Sequence, residues 1–456
     1  MQAQRYFDIL TYQNQFFPNK KALGHLKAGK KINFSSQKVS QHVTSIACNL
    51  IDKGLKKGDY VCLFGPTTDA WWMMVELAVS SVGAVVVPIE ITQDNIAETI
   101  NHLRDTKAKF CFSFSQEIQL FIQDFEEQIP SLKDIYNFDK QFINIEKHEL
   151  FINPSPESQI TLDTLKGVIH EDDLAFLLYT RGTTAKPKGI LLSHKNILEN
   201  AQAMLRLSPL NCDHRHLSIT HISHSFERVV LTAVMLSGAS TFFQSGADNF
   251  YFATKRIRPH FLSMSTEDCL LLLKKLTDDS KGKKDANTLV DKAMNICRKN
   301  LETFTVGFID WLLIKFIDIT LFKKWRQKLG NKLQAIYVIG SPLDSLSAKF
   351  FHLAGIEIKE GYGLTEATAL VSLNGYADST SKPKTSGKIM HNLKVKIEKE
   401  KDQEYGEIMI KGPSVMRSYF TGLDEQPGLT LTQDWLPTGD IGKITDENFL
   451  IITRRD

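Results

Sequence analysis

The densest chemical signal in the chain is Tyr179-Thr-Arg-Gly-Thr-Thr-Ala-Lys-Pro-Lys-Gly189. Its glycines let backbone approach a ligand closely. Successive backbone N–H groups in such a turn make an anion-binding nest. Thr180, Thr183 and Thr184 add hydroxyl donors, and Lys186 and Lys188 add positive charge. The chemistry implied is the holding of a polyphosphate. The order Gly-x-x-x-x-Gly-Lys-Ser/Thr of a Walker A loop is absent. A buried run, Leu174 to Tyr179, precedes the loop. Ser193 can cap a helix over roughly Lys195 to Leu205, so the loop is expected to link a strand to a helix.

Three further clusters follow. In Glu360-Gly-Tyr-Gly-Leu-Thr-Glu-Ala367, a Gly-Tyr-Gly turn offers an aromatic face beside unhindered backbone. Tyr362 can stack on a base, Thr365 can donate to a phosphate oxygen, and Glu366 can hold Mg²⁺, which prefers carboxylate and phosphate oxygens. Gly340-Ser-Pro-Leu343 ends a strand with small residues. Trp435-Leu-Pro-Thr-Gly-Asp-Ile-Gly442 carries an acid, Asp440, in ordinary turn chemistry.

Taken together and in this order, the four segments resemble the adenylate-forming (AMP-binding) superfamily, and Gly340 to Leu343 with Phe350-Phe351 and Gly355 resembles its long-chain fatty acyl-CoA synthetase branch. The resemblance covers the whole chain. It departs at Arg181, where a small residue is usual, and at Ala185, where glycine is usual. It implies ATP, Mg²⁺, a fatty acid and coenzyme A as partners. Thr180, Gly182, Thr183, Thr184 and Lys188 would hold phosphates. Gly340, Ser341, Pro342, Glu360, Gly361, Tyr362, Gly363 and Thr365 would hold adenine and phosphate. Asp440 and Arg454 would hold ribose, the carboxylate having two acceptor oxygens. Glu366 would be the metal ligand. The catalytic assignments are Thr184, Lys188, His224 and Glu366.

The activity implied is formation of acyl-AMP and then acyl-CoA. The alternatives are a fatty acyl-AMP ligase that passes the acyl group to a carrier protein, and a non-catalytic nucleotide or acyl sensor, which Arg181 and Ala185 favour. Asn211 to Arg228 holds His214, His216, His221 and His224. Strand alternation puts the first two on one face but the last two on opposite faces, which disfavours a zinc site. The resemblance instead places His224, in His224-Ser-Phe-Glu-Arg228, near nucleotide and acyl group. It also puts the family's interdomain hinge at about Asp456, so the small domain is expected to be absent, leaving the chain poor at both steps.

The elements that must position these residues read as α/β. Asp59 to Phe64, Gly83 to Ile89, Lys332 to Ile339 and Ile356 to Lys359 are strand-like, and Trp71 to Ser81 is helical. Such alternation predicts mostly parallel sheets flanked by helices. The resemblance implies two of them. From Lys388 the period becomes two, at Lys394 to Lys399 and Gly406 to Lys411, predicting a smaller β-rich subdomain. The expected division is 1–387 and 388–453, with 454–456 beginning the hinge. Asn153 to Gly167 and Thr277 to Leu289 look irregular and exposed. Trp311 to Gly330 reads as one amphipathic helix with a basic end, packed on its own domain or lying on a membrane.

Composition bounds the rest. In 456 residues, 55 basic side chains against 52 acidic leave a net charge of +3, which argues against a nucleic-acid binder. Six scattered cysteines without a Cys-x-x-Cys pair suggest neither a disulfide framework nor a zinc ribbon. With no signal-like N-terminus and no apolar run of about 20 residues, a cytoplasmic protein with peripheral membrane contact at most is expected.

Overall fold

The computed structural model describes residues 3–27, 29–65, 69–91, 96–138, 148–180, 187–208, 210–244, 250–279, 284–299, 307–340, 343–375, 381–382, 384–423 and 435–455. Buried apolar runs become the inner strands of two sheets. In the seven-stranded sheet, Leu174–Tyr179, Val85–Glu90, Tyr60–Gly65, Phe110–Ser113 and Asp134–Asn137 run parallel in that order. Gly189–Ser193 and then Ser418–Phe420 extend it antiparallel. In the nine-stranded sheet the parallel centre is Glu357–Gly363, Ala335–Ile339, Phe261–Ser265, Arg215–Ser218, Ser240–Phe243 and Lys21–Lys27. Antiparallel strands finish both of its edges.

Both faces of each sheet are covered, which is why the strands read as continuous rather than alternating apolar runs. The largest core joins the inner faces, Val61, Leu63, Val86 and Phe176 from one sheet with Leu23, Phe243, Phe261 and Tyr337 from the other. Helices Ala70–Val82 and Ser225–Leu236 contribute to that core. Every residue of Ala70–Val82 is buried, and Asp69 caps it by accepting from the Trp71 and Trp72 N–H groups. Separate cores cover the outer faces under further helices. A four-stranded antiparallel sheet, Lys394–Glu398, Gly406–Lys411, Leu436–Ile444 and Leu450–Arg455, carries the period-two pattern.

Several expectations need correction. Gly189–Ser193 is fully buried and pairs antiparallel with Leu174–Tyr179, so the Gly/Thr/Lys loop joins two strands. The helix begins only at His194, capped by Ser193. Pro156–Val168 is a helix: Ser155 accepts from the Ser158 N–H, proline occupies the first turn, and its polar look reflects exposure of most of its surface. Thr277 and Asp278 end one helix and Lys284–Lys299 is another, with Asp291, Lys292, Asn295, Arg298 and Lys299 exposed. Trp311 to Gly330 is not one regular helix. Phe308–Ile317 passes through a π-helical turn at Asp318–Phe322 into Lys323–Lys328. Gly361-Tyr-Gly363 ends a strand, and the turn follows at Thr365–Ala367.

Candidate active site

Tyr362 and Asp440 come from different sheets and meet. The Tyr362 hydroxyl donates to Asp440 Oδ2 at 2.5 Å, with both side chains nearly buried. Asp440 lies in the strand Leu436–Ile444, where Gly439 at φ +75° breaks the regular path. The Thr438 hydroxyl receives the Asp440 N–H at 3.1 Å and fixes the approach. Small residues make the surroundings possible. Gly363 has no room for a Cβ, which would overlap the Ala369 carbonyl oxygen. Gly340 sits at φ +125°, which side chains rarely adopt. Just beyond it, the Leu343 N–H donates to Glu360 Oε1 at 3.2 Å. Burial pushes the Glu360 carboxyl up to about 7.

The Thr365–Ala367 turn is anchored from three sides. Asn200, on helix His194–Leu207, donates to the Leu370 carbonyl at 2.8 Å and accepts from the Leu370 N–H at 3.0 Å. The Met416 N–H donates to the Glu366 carbonyl at 2.8 Å. The Thr368 hydroxyl donates to the Ser414 carbonyl at 2.6 Å. That last bond holds a β-branched residue at φ +71°, a strained conformation that concentrates at functional turns. Ser225 Oγ lies 3.5 Å from Thr365 Oγ1, tying the turn to the helix that His224 begins.

Glu366 is half-buried, and its Oε1 accepts from the Tyr419 hydroxyl at 3.1 Å. Burial, and then the Glu366 charge, push the Tyr419 phenol up to about 12, so it stays a donor. Lys188 Nζ stands over the Tyr419 ring at 5.1 Å. The phosphate-type loop is closed at its base by the Thr180 N–H donating to the Lys188 carbonyl at 3.0 Å, and by the Lys188 N–H donating to Thr180 Oγ1 at 3.3 Å. Thr180 and Lys188 therefore lie beside Tyr419 and Glu366. Gly182, Thr183 and Thr184, with Arg181, Ala185 and Lys186, lie outside the described residues, as do Ser341 and Pro342. Arg454 pairs with Ile441, one residue from Asp440, across the strands of the four-stranded sheet.

The His224 to Arg228 segment divides its work. His224 precedes the helix Ser225–Leu236, half exposed, with Nε2 3.5 Å from Glu90 Oε2. Its neighbours are structural. Arg228 and Glu76 form a fully buried ion pair at 2.7 Å, and the Trp72 indole N–H donates to Glu76 at 2.9 Å. The guanidinium also stands 4.0 Å over the Phe176 ring. Breaking one side of such a pair costs about 3–5 kcal/mol. Buried Glu227 accepts from Ser218 Oγ at 2.5 Å and from Ser263 Oγ, and burial still raises its carboxyl to about 7. The other histidines do not converge. His216 bonds Ser263 at 2.9 Å, His221 packs edge-on against Trp72, and His214 lies against His260 and Phe261. Among the described residues no group of three or more potential ligands could hold a metal ion.

Sequence reasoning missed Tyr419, Asn200 and Ser225. Tyr419 belongs to a three-residue edge strand with no motif of its own. Asn200 and Ser225 are ordinary helix residues whose partners are set only by tertiary contact.

The sequence profile of the AMP-binding enzyme family matches residues 10–420. The chain belongs to that family. It is similar to the long-chain-fatty-acid–CoA ligase FadD15 of Mycobacterium bovis, 24% identical over 91% of this chain and 68% of the relative. It is 25% identical to long-chain-fatty-acid–CoA ligase 1 of Cavia porcellus over 96% of this chain and 65% of the relative. The chain thus spans about two thirds of the length of these relatives. In fold it is similar to the inhibitor-bound N-terminal domain of FACL13 from Mycobacterium tuberculosis, with a TM-score of 0.73, 18% identity and full coverage of both chains. An anthranilate CoA ligase bound to anthranoyl-AMP gives a TM-score of 0.74 at 18% identity, over 99% of this chain and 77% of that one. The fold is that of the N-terminal domains of adenylate-forming enzymes, with the β-rich sheet added to two mixed sheets.

Proposed function

We propose that this chain carries the ATP- and fatty-acid-binding part of a long-chain fatty acid–CoA ligase. The observation that carries the reading is the Tyr362–Asp440 hydrogen bond, which puts the base-stacking and ribose-holding candidates of two sheets at one place. Fatty acid ligases among the similar sequences support the substrate class. Residues 1–453 would form the large domain, about 388–453 being its β-rich part, with 454–456 opening the hinge.

In the proposed reaction a fatty carboxylate oxygen attacks the α-phosphorus of ATP. The bond to the β-phosphate oxygen breaks, giving acyl-AMP and pyrophosphate. The thiol of coenzyme A, as thiolate, then attacks the acyl carbon and AMP leaves with the C–O electron pair. Catalysis of this kind is positioning and charge stabilisation. Tyr362 and the small residues Gly340, Ser341, Pro342, Gly361 and Gly363, with Glu360, would hold adenine. Asp440 and Arg454 would hold ribose. Thr180, Gly182, Thr183, Thr184, Lys188 and Thr365 would hold phosphate oxygens, and His224 would stand between nucleotide and acyl chain. Glu366 fits Mg²⁺. It is one half-buried carboxylate steadied by Tyr419, with no cage of acids around it among the described residues, which suits an ion that takes most of its oxygens from phosphate and water. The ion would neutralise charge on the phosphates.

Calorimetric titration with non-hydrolysable acyl-sulfamoyl adenosines tests the acid specificity without needing turnover. A long-chain fatty acyl analogue is expected to bind at least about ten-fold tighter than acetyl or anthraniloyl analogues, since each buried CH₂ is worth about 0.8 kcal/mol. Equal or tighter binding of the anthraniloyl analogue overturns the fatty acid assignment.

A further inference from the structure

The helix Phe308–Ile317 is apolar at every position but Asp310 and Lys315, a pattern that normally marks a helix largely enclosed by protein. Here only one side is enclosed. Ile317, then Leu321, Phe322 and Trp325, are buried in the outer core of the nine-stranded sheet. The other side is open. Ile309 is 80% exposed, Phe308 73%, Ile319 67%, Phe316 57%, Leu312 49% and Trp311 45%. Phe308, Trp311, Leu312, Phe316 and Ile319 follow the i, i+3, i+4, i+8, i+11 progression of a single face, Ile309 lies at its edge, and the Phe308 and Trp311 rings stack with centroids 6.1 Å apart.

Basic side chains rim this face. Lys315, Lys323 and Lys324 are exposed. Between Gly307 and Lys328 there are five basic residues (Lys315, Lys323, Lys324, Arg326, Lys328) and two acids (Asp310, Asp318), a net charge of 5 − 2 = +3. Asp318 is already taken by Arg326 at 2.6 Å. No described helix is long and apolar enough to cross a membrane. An open stripe of Phe, Ile and Trp with a lysine rim is the chemistry of an element that lies in the boundary between lipid headgroups and acyl chains.

We propose that the Phe308–Lys328 segment docks this protein on an anionic lipid bilayer surface, its apolar face entering the interface and Lys315, Lys323 and Lys324 meeting lipid phosphates. The charge pattern selects this occupant over a second copy of the chain, because a self-paired contact would crowd the like-charged rims of both copies around one small patch. The inference is independent of which acid the site activates.

The test is co-sedimentation of the purified full chain with vesicles of phosphatidylcholine alone and of phosphatidylcholine with a quarter phosphatidylglycerol. The wild-type chain is expected to pellet with the anionic vesicles and far less with the neutral ones. Ile309→Ser with Phe316→Ser should abolish the partitioning while melting as the wild type does, since both side chains are exposed. Lys323→Glu with Lys324→Glu should weaken it by at least roughly thirty-fold, the loss of about 1 kcal/mol per lysine near the surface. Wild-type protein left in the supernatant, equal pelleting with neutral vesicles, or serine and glutamate variants that pellet like wild type each overturn the proposal. So does a lipid-free light-scattering mass that falls by half in the serine variant, which assigns the face to a second copy.

Discussion

Glu227 shows how the residue scale joins site and stability. It sits one residue before Arg228 and three after His224, yet its partners are the Ser218 and Ser263 hydroxyls, paired across two neighbouring parallel strands. Burial raises its carboxyl from an ordinary value near 4.5 to about 7. Between those values the folded chain holds a proton that the unfolded chain has lost, so stability falls as pH rises through that window. A shift of that size is worth about 3 kcal/mol. Glu227→Gln keeps the shape and removes the titration. Its urea-unfolding free energy should decline less between pH 4.5 and 7 than that of the wild type. An unchanged slope would show that Glu227 is not the group responsible. Residue roles of this kind were only partly legible in sequence. His224 and Glu227 share one short motif, but which is exposed and which is buried depends on the strands beneath the helix.

At the scale of elements, the phosphate-type loop, the Thr365–Ala367 turn and the edge strand Ser418–Phe420 form one assembly through Lys188, Glu366 and Tyr419. The strand is short, but its pairing with Gly189–Ser193 delivers a phenol to a carboxylate 53 residues earlier in the chain. Partners behind a metal ligand orient it, and their loss typically costs about 10–100-fold in metal affinity. Tyr419→Phe should therefore raise the Mg²⁺ concentration for half-maximal ATP binding by roughly that factor while leaving the melting temperature within a few degrees. An unchanged Mg²⁺ requirement would remove Tyr419 from the site. The elements were legible where burial on both faces made continuous apolar runs, as at Leu174–Tyr179 and Val85–Glu90. They were not where a helix is mostly solvated. Pro156–Val168 buries little beyond Ser158 and Leu162, so its sequence resembles a loop despite the Ser155 cap and proline at its start.

Across the whole molecule, three sheets bring the candidate residues together: Thr180 and Lys188 from the end of the seven-stranded sheet, Tyr362 and Glu366 from the end of the nine-stranded sheet, and Asp440 from the four-stranded sheet. The order of motifs along the chain was enough to place it in a family. The convergence was not readable, because Tyr362 and Asp440 are 78 residues apart and their contact depends on how the β-rich sheet packs on the other two. The proposed nucleotide site rests on that convergence. Calorimetric titration of Mg-ATP into the wild-type chain and into Asp440→Asn tests it most directly. Binding by the wild type is expected, with a loss of roughly 10–100-fold in the variant, the usual weight of hydrogen bonds to a charged group, and the fold intact. No binding by the wild type, or equal affinity in Asp440→Asn, would contradict it.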